Sequence, residues 1–192
     1  MRAALLLMLC AGCTWTGGGF RADGKELPRL RQVLALEAGK VVADVGAGQG
    51  ELTFALAREV ARVYATEIDA ARLKKLHAAK PGNVTVVEAS SGETGLPAGC
   101  CDAIVLRRVY HHLTDPASIN ASLLRALRPG GVLAVIDFPP PFFWGRGSLG
   151  VPQQAVIAEA GASGFELVRL IEDWPGRGPL GSYCAVFRKP PV

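Results

Sequence analysis

The sequence predicts one doubly wound α/β domain built on a mainly parallel sheet, and three observations support this fold class. Short apolar runs alternate with helical segments of about ten residues from residue 28 onward, the pattern of successive β-α-β units. The runs at 104–106 and 132–136 are apolar at every position, as strands covered by helices on both faces require. A glycine-rich turn at 46–50 joins the first apolar run to a helical segment.

Apolar periodicity and capping residues place the individual elements in chain order. A helix over about 28–36 precedes a strand at 40–45. Asp115 is expected to cap a later helix that opens with Pro116. Further strands are predicted at 61–66, 83–88, 101–106, 132–138, 165–170 and 182–188, and further helices at 52–60, 70–79, 116–127 and 152–160.

Composition narrows the class of protein. The 192 residues are 49% hydrophobic, enough for one core, and the formal net charge is only +4. No run of Lys or Arg exceeds two residues, which disfavours nucleic acid as a partner because nucleic-acid binding needs a concentrated basic face. The five cysteines lack the paired spacing of a zinc site, so no metal is predicted, and Cys101 and Cys184 are interpreted as small strand hydrophobes.

The N-terminal segment differs from the rest of the chain. Residues 1–13 combine an early Arg with a short apolar run and a Gly-Cys end, and they resemble a bacterial lipoprotein signal. Residues 14–27 then form a linker to a domain at 28–192. We expect attachment to the membrane of the cell envelope through a lipidated Cys13, and the alternative is a cytoplasmic protein with an ordinary N-terminal helix or a mistaken start.

A cysteine variant tests this expectation of location. Cys13→Ser should release the protein from the membrane fraction, because the site of lipidation is lost while the domain itself is unchanged. Fractionation of wild type and variant, with mass spectrometry of the N-terminus, measures the outcome. Wild type found in the cytosol with Met1 intact would rule out export.

The glycine-rich turn indicates which cofactor the domain takes. Its glycines follow the spacing G-x-G-x-G, whereas a dinucleotide site uses G-x-G-x-x-G. Glu51, directly after the last glycine, would also repel the negative charge of a pyrophosphate. Asp44 before the turn suits a ligand with an ammonium group, and Glu67 at the end of the second strand suits ribose hydroxyls. The turn and the end of the second strand therefore predict Asp44, Gly46, Ala47, Gly48, Gly50 and Glu67 as cofactor-binding residues.

Taken together, these motifs resemble those of class I S-adenosylmethionine-dependent methyltransferases, over about residues 28–188. The matching segments are 42–50, 65–69, 96–105, 124–131, 160–165 and 183–188. The resemblance implies a Rossmann-like, seven-stranded sheet whose last strand is antiparallel. It also implies S-adenosyl-L-methionine as cofactor and transfer of its methyl group, and it adds Ile68, Ser90 and Arg107 to the predicted cofactor-binding residues.

The sequence departs from the family pattern at two places. Ser90 stands where relatives usually have an acid for the adenine amino group. Arg107 and Arg108 follow the fourth strand, where their positive charge repels a sulfonium unless the side chains point away or hold the methionine carboxylate. A non-catalytic binding module with a degenerate cofactor site therefore remains an alternative. A dehydrogenase is disfavoured because the G-x-G-x-x-G spacing and a Tyr-x-x-x-Lys pair are both missing.

The acceptor side is less specified. His111, after the fourth strand, is the candidate catalytic base or substrate contact, and the alternative is that this stretch packs and caps the following helix. Asp137 either contacts substrate or caps a turn. The family's Asn-Pro-Pro-Tyr-like motif for nucleic-acid amines is absent, so a small-molecule acceptor is expected. The apolar segment 139–144 is interpreted as a substrate lid or as a loop packed on the sheet.

Overall fold

The structure is a computed structural model that describes residues 24–140, 150–175 and 181–191. The predicted signal segment, most of the predicted linker and most of the 139–144 segment lie outside these residues. None of the helices in the described ranges is long and apolar enough to cross a membrane.

The elements alternate along the chain as the sequence predicts. A single turn of 3₁₀ helix, Tyr110–His112, separates the fourth strand from the fourth α-helix. The helices are α1 Glu26–Val33, α2 Glu51–Leu56, α3 Ala70–Ala79, α4 Pro116–Ala126 and α5 Gln153–Ala162; the strands are β1 Val41–Val45, β2 Arg62–Glu67, β3 Val84–Glu88, β4 Cys101–Arg107, β5 Leu127–Asp137, β6 Glu166–Trp174 and β7 Ser182–Arg188.

The seven strands form one sheet in the order β3-β2-β1-β4-β5-β7-β6. Neighbouring pairs are parallel except for β7, which runs antiparallel to both β5 and β6. This confirms the predicted fold class, including the antiparallel last strand. The strand order reverses between β1 and β4, and in a doubly wound sheet the ligand crevice opens at the carboxyl ends of the strands on either side of such a reversal.

Several element boundaries differ from the predicted ones; helix α2, for example, ends at Leu56 and not at residue 60. Helix α1 begins at Glu26, inside the predicted linker, because Pro28 falls in the first helical turn, where its missing N–H costs no intrahelical bond. Strand β5 begins at Leu127, which pairs with Cys101 before an irregularity in the register. Strand β6 runs on to Trp174 because β7 continues to pair with it across a second irregularity.

The core lies on both faces of the sheet. On one face α4 and α5 cover the strands, with Leu123 and Val156 fully buried; on the other, α1 and α2 do so, with Leu30 and Leu56 fully buried. Successive strand residues point to opposite faces, which explains why the central strands are apolar throughout. As predicted, Cys101 and Cys184 are buried strand residues with free thiols.

Candidate functional site

A cavity of about 690 Å³ opens at the carboxyl edge of the parallel strands. Its wall is formed by the glycine-rich turn, the ends of β2 and β4, the loop after β3 and the 3₁₀ turn. The lining includes eight of the nine predicted cofactor-binding residues, which are Asp44, Gly46, Ala47, Gly48, Glu67, Ile68, Ser90 and Arg107. The fold therefore brings together residues that the sequence separates by up to 63 positions, from Asp44 to Arg107.

Each of the three positions in the turn requires glycine for a different structural reason. All three have positive φ, at 73° for Gly46, 60° for Gly48 and 87° for Gly50, a region that favours glycine. A Cβ at Gly46 would lie 2.5 Å from a Val109 methyl, and one at Gly50 would lie 2.7 Å from the Phe54 ring. Gly50 is therefore a packing residue and does not line the cavity. At Gly48 a Cβ would meet nothing within 4 Å, so only this glycine leaves open ligand space.

Asp44 is a buried carboxylate at the end of β1. Its side chain is 2% exposed, and the Thr53 hydroxyl donates a hydrogen bond to it at 2.6 Å. Burial raises the pKa of Asp44 to about 6, while the Thr53 hydrogen bond and the nearby charge of Arg107 oppose that shift. A buried carboxylate that resists ionisation gains most from a cationic ligand, because the ligand supplies the counter-charge.

Glu67 closes β2 and shapes the turn as well as the cavity. One carboxylate oxygen accepts the backbone N–H of Gly48 at 2.9 Å, and the other accepts those of Ile68 at 2.8 Å and Asp69 at 3.0 Å. The side chain is 4% exposed, and an Arg72 nitrogen lies 3.7 Å from it. Glu67 therefore fixes the position of the glycine turn, a role that its sequence position alone does not reveal.

The loop after β3, which carries Ser90, is held by residues that the sequence analysis missed. The Ser90 N–H donates to the Glu93 carbonyl at 2.8 Å, and the Glu93 carboxylate accepts from the Ser122 hydroxyl and, at 2.5 Å, from Arg125. Thr94 bonds the same Ser122 hydroxyl at 2.6 Å. Because Ser122 and Arg125 lie on α4, the helix braces the wall of the cavity.

Arg107 is held from behind the cavity by α1. Its Nε lies 2.9 and 3.0 Å from the two oxygens of Glu26, and a terminal guanidinium nitrogen lies 2.9 Å from the same carboxylate. Glu26 is 4% exposed and also accepts the indole N–H of Trp174 at 3.1 Å. The predicted opposition between Arg107 and a cationic ligand is therefore reduced by a carboxylate 81 positions away in sequence.

Arg108 follows in a conformation that is rare for a residue with a Cβ. Its φ is 59°, and its backbone N–H donates to the Ile136 carbonyl at 2.7 Å. The residue lines the cavity. Left-handed backbone of this kind costs about 1–3 kcal/mol and persists where the surroundings hold it, often at functional sites.

His111, the predicted catalytic base or substrate contact, does not line the cavity. The residue is 2% exposed, and Nδ1 lies 2.8 and 3.0 Å from the two oxygens of Asp137. Within the described residues its Nε2 has no hydrogen-bond partner. The cavity is lined instead by His112, whose ring centre lies 3.9 Å from that of His111 and whose pKa is lowered, chiefly by burial.

Asp137, which ends β5, is fully buried. Of its two predicted roles, a substrate contact or a turn cap, its hydrogen bonds fit the turn cap. Besides the imidazole it accepts the backbone N–H groups of His111 at 3.1 Å and Phe138 at 2.9 Å. A carboxylate with donors on both oxygens orients the imidazole with its proton on Nδ1, which leaves Nε2 as the acceptor nitrogen.

Comparisons with known proteins agree with this arrangement. Residues 43–135, which run from the middle of β1 to near the end of β5, match a family described as a methyltransferase domain. The chain is 31% identical over 113 residues to the ubiquinone/menaquinone biosynthesis C-methyltransferase of Vibrio vulnificus, covering 55% of this chain and 44% of that protein. It is 34% identical over 153 residues to an uncharacterized methyltransferase of Anoxybacillus flavithermus, covering 79% and 66%.

Solved structures share the fold at low sequence identity. A SAM-dependent methyltransferase of Aquifex aeolicus superposes with a TM-score of 0.70 at 20% identity, covering 84% of this chain and 88% of that one. The [4+2]-cyclase SpnF superposes with a TM-score of 0.71 at 17% identity, covering 86% and 80%. Because the second of these proteins is named as a cyclase, this fold supports more than one chemistry.

The matched family, the sheet order and the cavity define the class of protein. The chain carries a class I S-adenosylmethionine-dependent methyltransferase domain. It spans about half the length of the first curated relatives it matches, from 44% to 51%.

Proposed function

We propose that the protein transfers a methyl group from S-adenosyl-L-methionine to a small-molecule acceptor. The observation that carries the proposal is the single cavity wall shared by Asp44, Gly48, Glu67 and Ser90 at the point where the strand order reverses. Its volume of about 690 Å³ is within the range of cofactor pockets.

The residues present fit this cofactor. Asp44 offers a buried carboxylate to the ammonium group, Gly48 leaves space beside the turn, and Glu67 lies beside that space for the ribose hydroxyls. Ser90 offers a hydroxyl and a backbone group near the adenine end, in place of the usual acid. The cofactor supplies a methyl group on an excellent leaving group, so the chain needs mainly to align the acceptor.

The acceptor side contains two histidines with different surroundings. His112 lines the cavity and is the more direct candidate for a contact with the acceptor. His111, paired with Asp137, has a buried acceptor nitrogen, Nε2, of the kind that takes a proton from a hydroxyl or amine nucleophile. Ser90 and the burial of His111 favour the second candidate function, a binding module without catalysis.

A transfer assay separates the two functions. The full chain is incubated with S-adenosyl-L-methionine labelled in its methyl group and with separate panels of hydroxyl, amine and activated-carbon nucleophiles. We expect label in one product class and an equal amount of S-adenosylhomocysteine. Binding of S-adenosylhomocysteine with no transfer to any panel would instead support the binding module.

The raised pKa of Asp44 predicts a pH dependence of cofactor affinity. If the ammonium group binds the ionised carboxylate, affinity should be full above pH 7 and fall by about tenfold at pH 5, because protonation of a group with a pKa of about 6 competes with binding. Calorimetric titration with S-adenosylhomocysteine between pH 5 and 8 measures this dependence.

Two variants control for other titrating groups. Asp44→Asn should bind weakly and with a nearly flat pH profile. His112→Gln should retain the wild-type profile, although His112 lines the same cavity. If His112→Gln changes the pH dependence of affinity and Asp44→Asn does not, the Asp44 carboxylate is not the partner of the ammonium group.

A further inference from the structure

The contact between α1 and the end of β4 has a consequence for which form of the cofactor the site accepts. Among the residues that the structure describes, three arginines line the cavity, Arg72, Arg107 and Arg108, and Arg72 lies 3.7 Å from Glu67. Arg107 lies near enough to Asp44 to influence its ionisation, and so belongs to the end of the cavity where the amino-acid part of the cofactor is expected.

We infer that Glu26 is a positioning residue that holds Arg107 and cancels its charge, so that this end of the cavity accepts a sulfonium. The inference rests on the proposed cofactor and assigns a role to a helix outside the matched family segment, which begins at residue 43. Glu26 itself does not line the cavity, so it acts on the cofactor only through Arg107, which does.

The geometry supports a charge role beyond simple packing. The guanidinium contacts Glu26 through two nitrogens, with three distances of 2.9–3.0 Å, and both side chains are largely shielded, at 14% and 6% exposed. Shielded charges interact more strongly than exposed ones, because water screens them less. The indole N–H of Trp174, on β6, donates to the Glu26 carboxylate, so the group that holds the Arg107 guanidinium is itself fixed in position.

Two ligands separate the charge effect from every other effect. S-adenosylmethionine carries a positive sulfonium, whereas S-adenosylhomocysteine has a neutral thioether and the same ribose, adenine, ammonium and carboxylate groups. A change that merely loosens the site weakens both ligands alike. The ratio of their affinities therefore reports the charge that the sulfonium meets.

The experiment measures both dissociation constants by calorimetry at pH 8 for wild type and four variants. Glu26→Gln leaves Arg107 without its carboxylate, and it should lower the preference for S-adenosylmethionine over S-adenosylhomocysteine by about tenfold, as expected for unit charges several ångströms apart at a shielded site. Arg107→Gln leaves the carboxylate unmatched and should shift the ratio in the opposite direction. The double variant should return it to near the wild-type value.

Asp173→Asn is the matched control. Asp173 also bridges α1 and β6, through Arg29 at 3.1 Å, but its side chain is 80% exposed and does not line the cavity. It should leave the ratio unchanged. Should Glu26→Gln fail to fold, judged by circular dichroism, Arg107→Gln carries the test through the opposite sign of its effect.

The outcomes are distinct. A ratio lowered by Glu26→Gln and raised by Arg107→Gln supports the inference. Equal weakening of both ligands in these variants overturns it and leaves Glu26 a structural residue. If the wild-type protein binds neither ligand, the proposed function is overturned as well. If the wild type binds both ligands and the substitutions leave the ratio of their affinities unchanged, this inference alone is overturned.

Discussion

Gly48→Val is expected to lower the affinity for S-adenosylhomocysteine by at least about a hundredfold, a loss of about 3 kcal/mol, while the domain still folds. The added Cβ meets no protein atom within 4 Å, so the branched side chain projects into the space at the cavity wall. Its backbone strain at φ 60° should cost about 1–2 kcal/mol of stability. Calorimetry and a thermal melt measure the two effects separately.

Gly99→Val provides a matched control for the backbone strain. Gly99 has the same φ of 60° and also has nothing within 4 Å of an added Cβ, but it does not line the cavity. We expect a similar loss of stability and an unchanged affinity. If both variants bind S-adenosylhomocysteine like wild type, the glycine turn is not the binding site.

Glu67→Ala is expected to affect both stability and binding. Three backbone N–H groups lose their acceptor, those of Gly48, Ile68 and Asp69, so the free energy of unfolding should fall by about 2 kcal/mol or more. The affinity for S-adenosylhomocysteine should fall by about 1–3 kcal/mol, the loss expected for a charge-assisted hydrogen-bonding partner. Urea unfolding without ligand measures the first effect and calorimetry the second.

An analogue that lacks both ribose hydroxyls isolates the direct contact. Wild type should bind it more weakly than S-adenosylhomocysteine, and Glu67→Ala should show little difference between the two ligands. Glu67→Gln, which keeps one acceptor oxygen, should retain more stability than Glu67→Ala. Were the alanine variant to weaken the analogue as much as the full ligand, Glu67 would act only by holding the turn.

The fold and the cofactor side follow from local sequence patterns. The glycine turn, the acid after β2 and the cap at Asp115 each lie within a few residues of the element they define, and Asp115 does accept the Ser118 N–H as a cap should, at 3.1 Å. The parallel sheet then places all strand ends at one edge, so residues that end strands β1, β2 and β4 must meet.

The residues that support the site could not be predicted in this way. Glu26 meets Arg107 across 81 positions, and Ser122 meets Glu93 across 29. Such pairs depend on how helices pack on the sheet, which periodicity does not specify. Glu26 has no motif around it, and it lies in a stretch that reads as linker until the structure places it at the start of α1.

The histidines show a second limit of sequence reasoning. His111 and His112 are neighbours in a single 3₁₀ turn, where successive side chains point about 120° apart. The sequence places both after β4, but only the phase of that turn decides that His112 lines the cavity and that His111 packs against Asp137. A rotation of the turn by one residue would place His111 in the direction that His112 now takes.

Calorimetric titration of the full chain with S-adenosylhomocysteine and, separately, with NAD tests the central claim most directly. The G-x-G-x-G spacing, the carboxylate of Asp44 and the position of Glu67 predict saturable binding of S-adenosylhomocysteine and no binding of NAD. Binding of NAD alone would contradict the assignment of this cavity to S-adenosylmethionine.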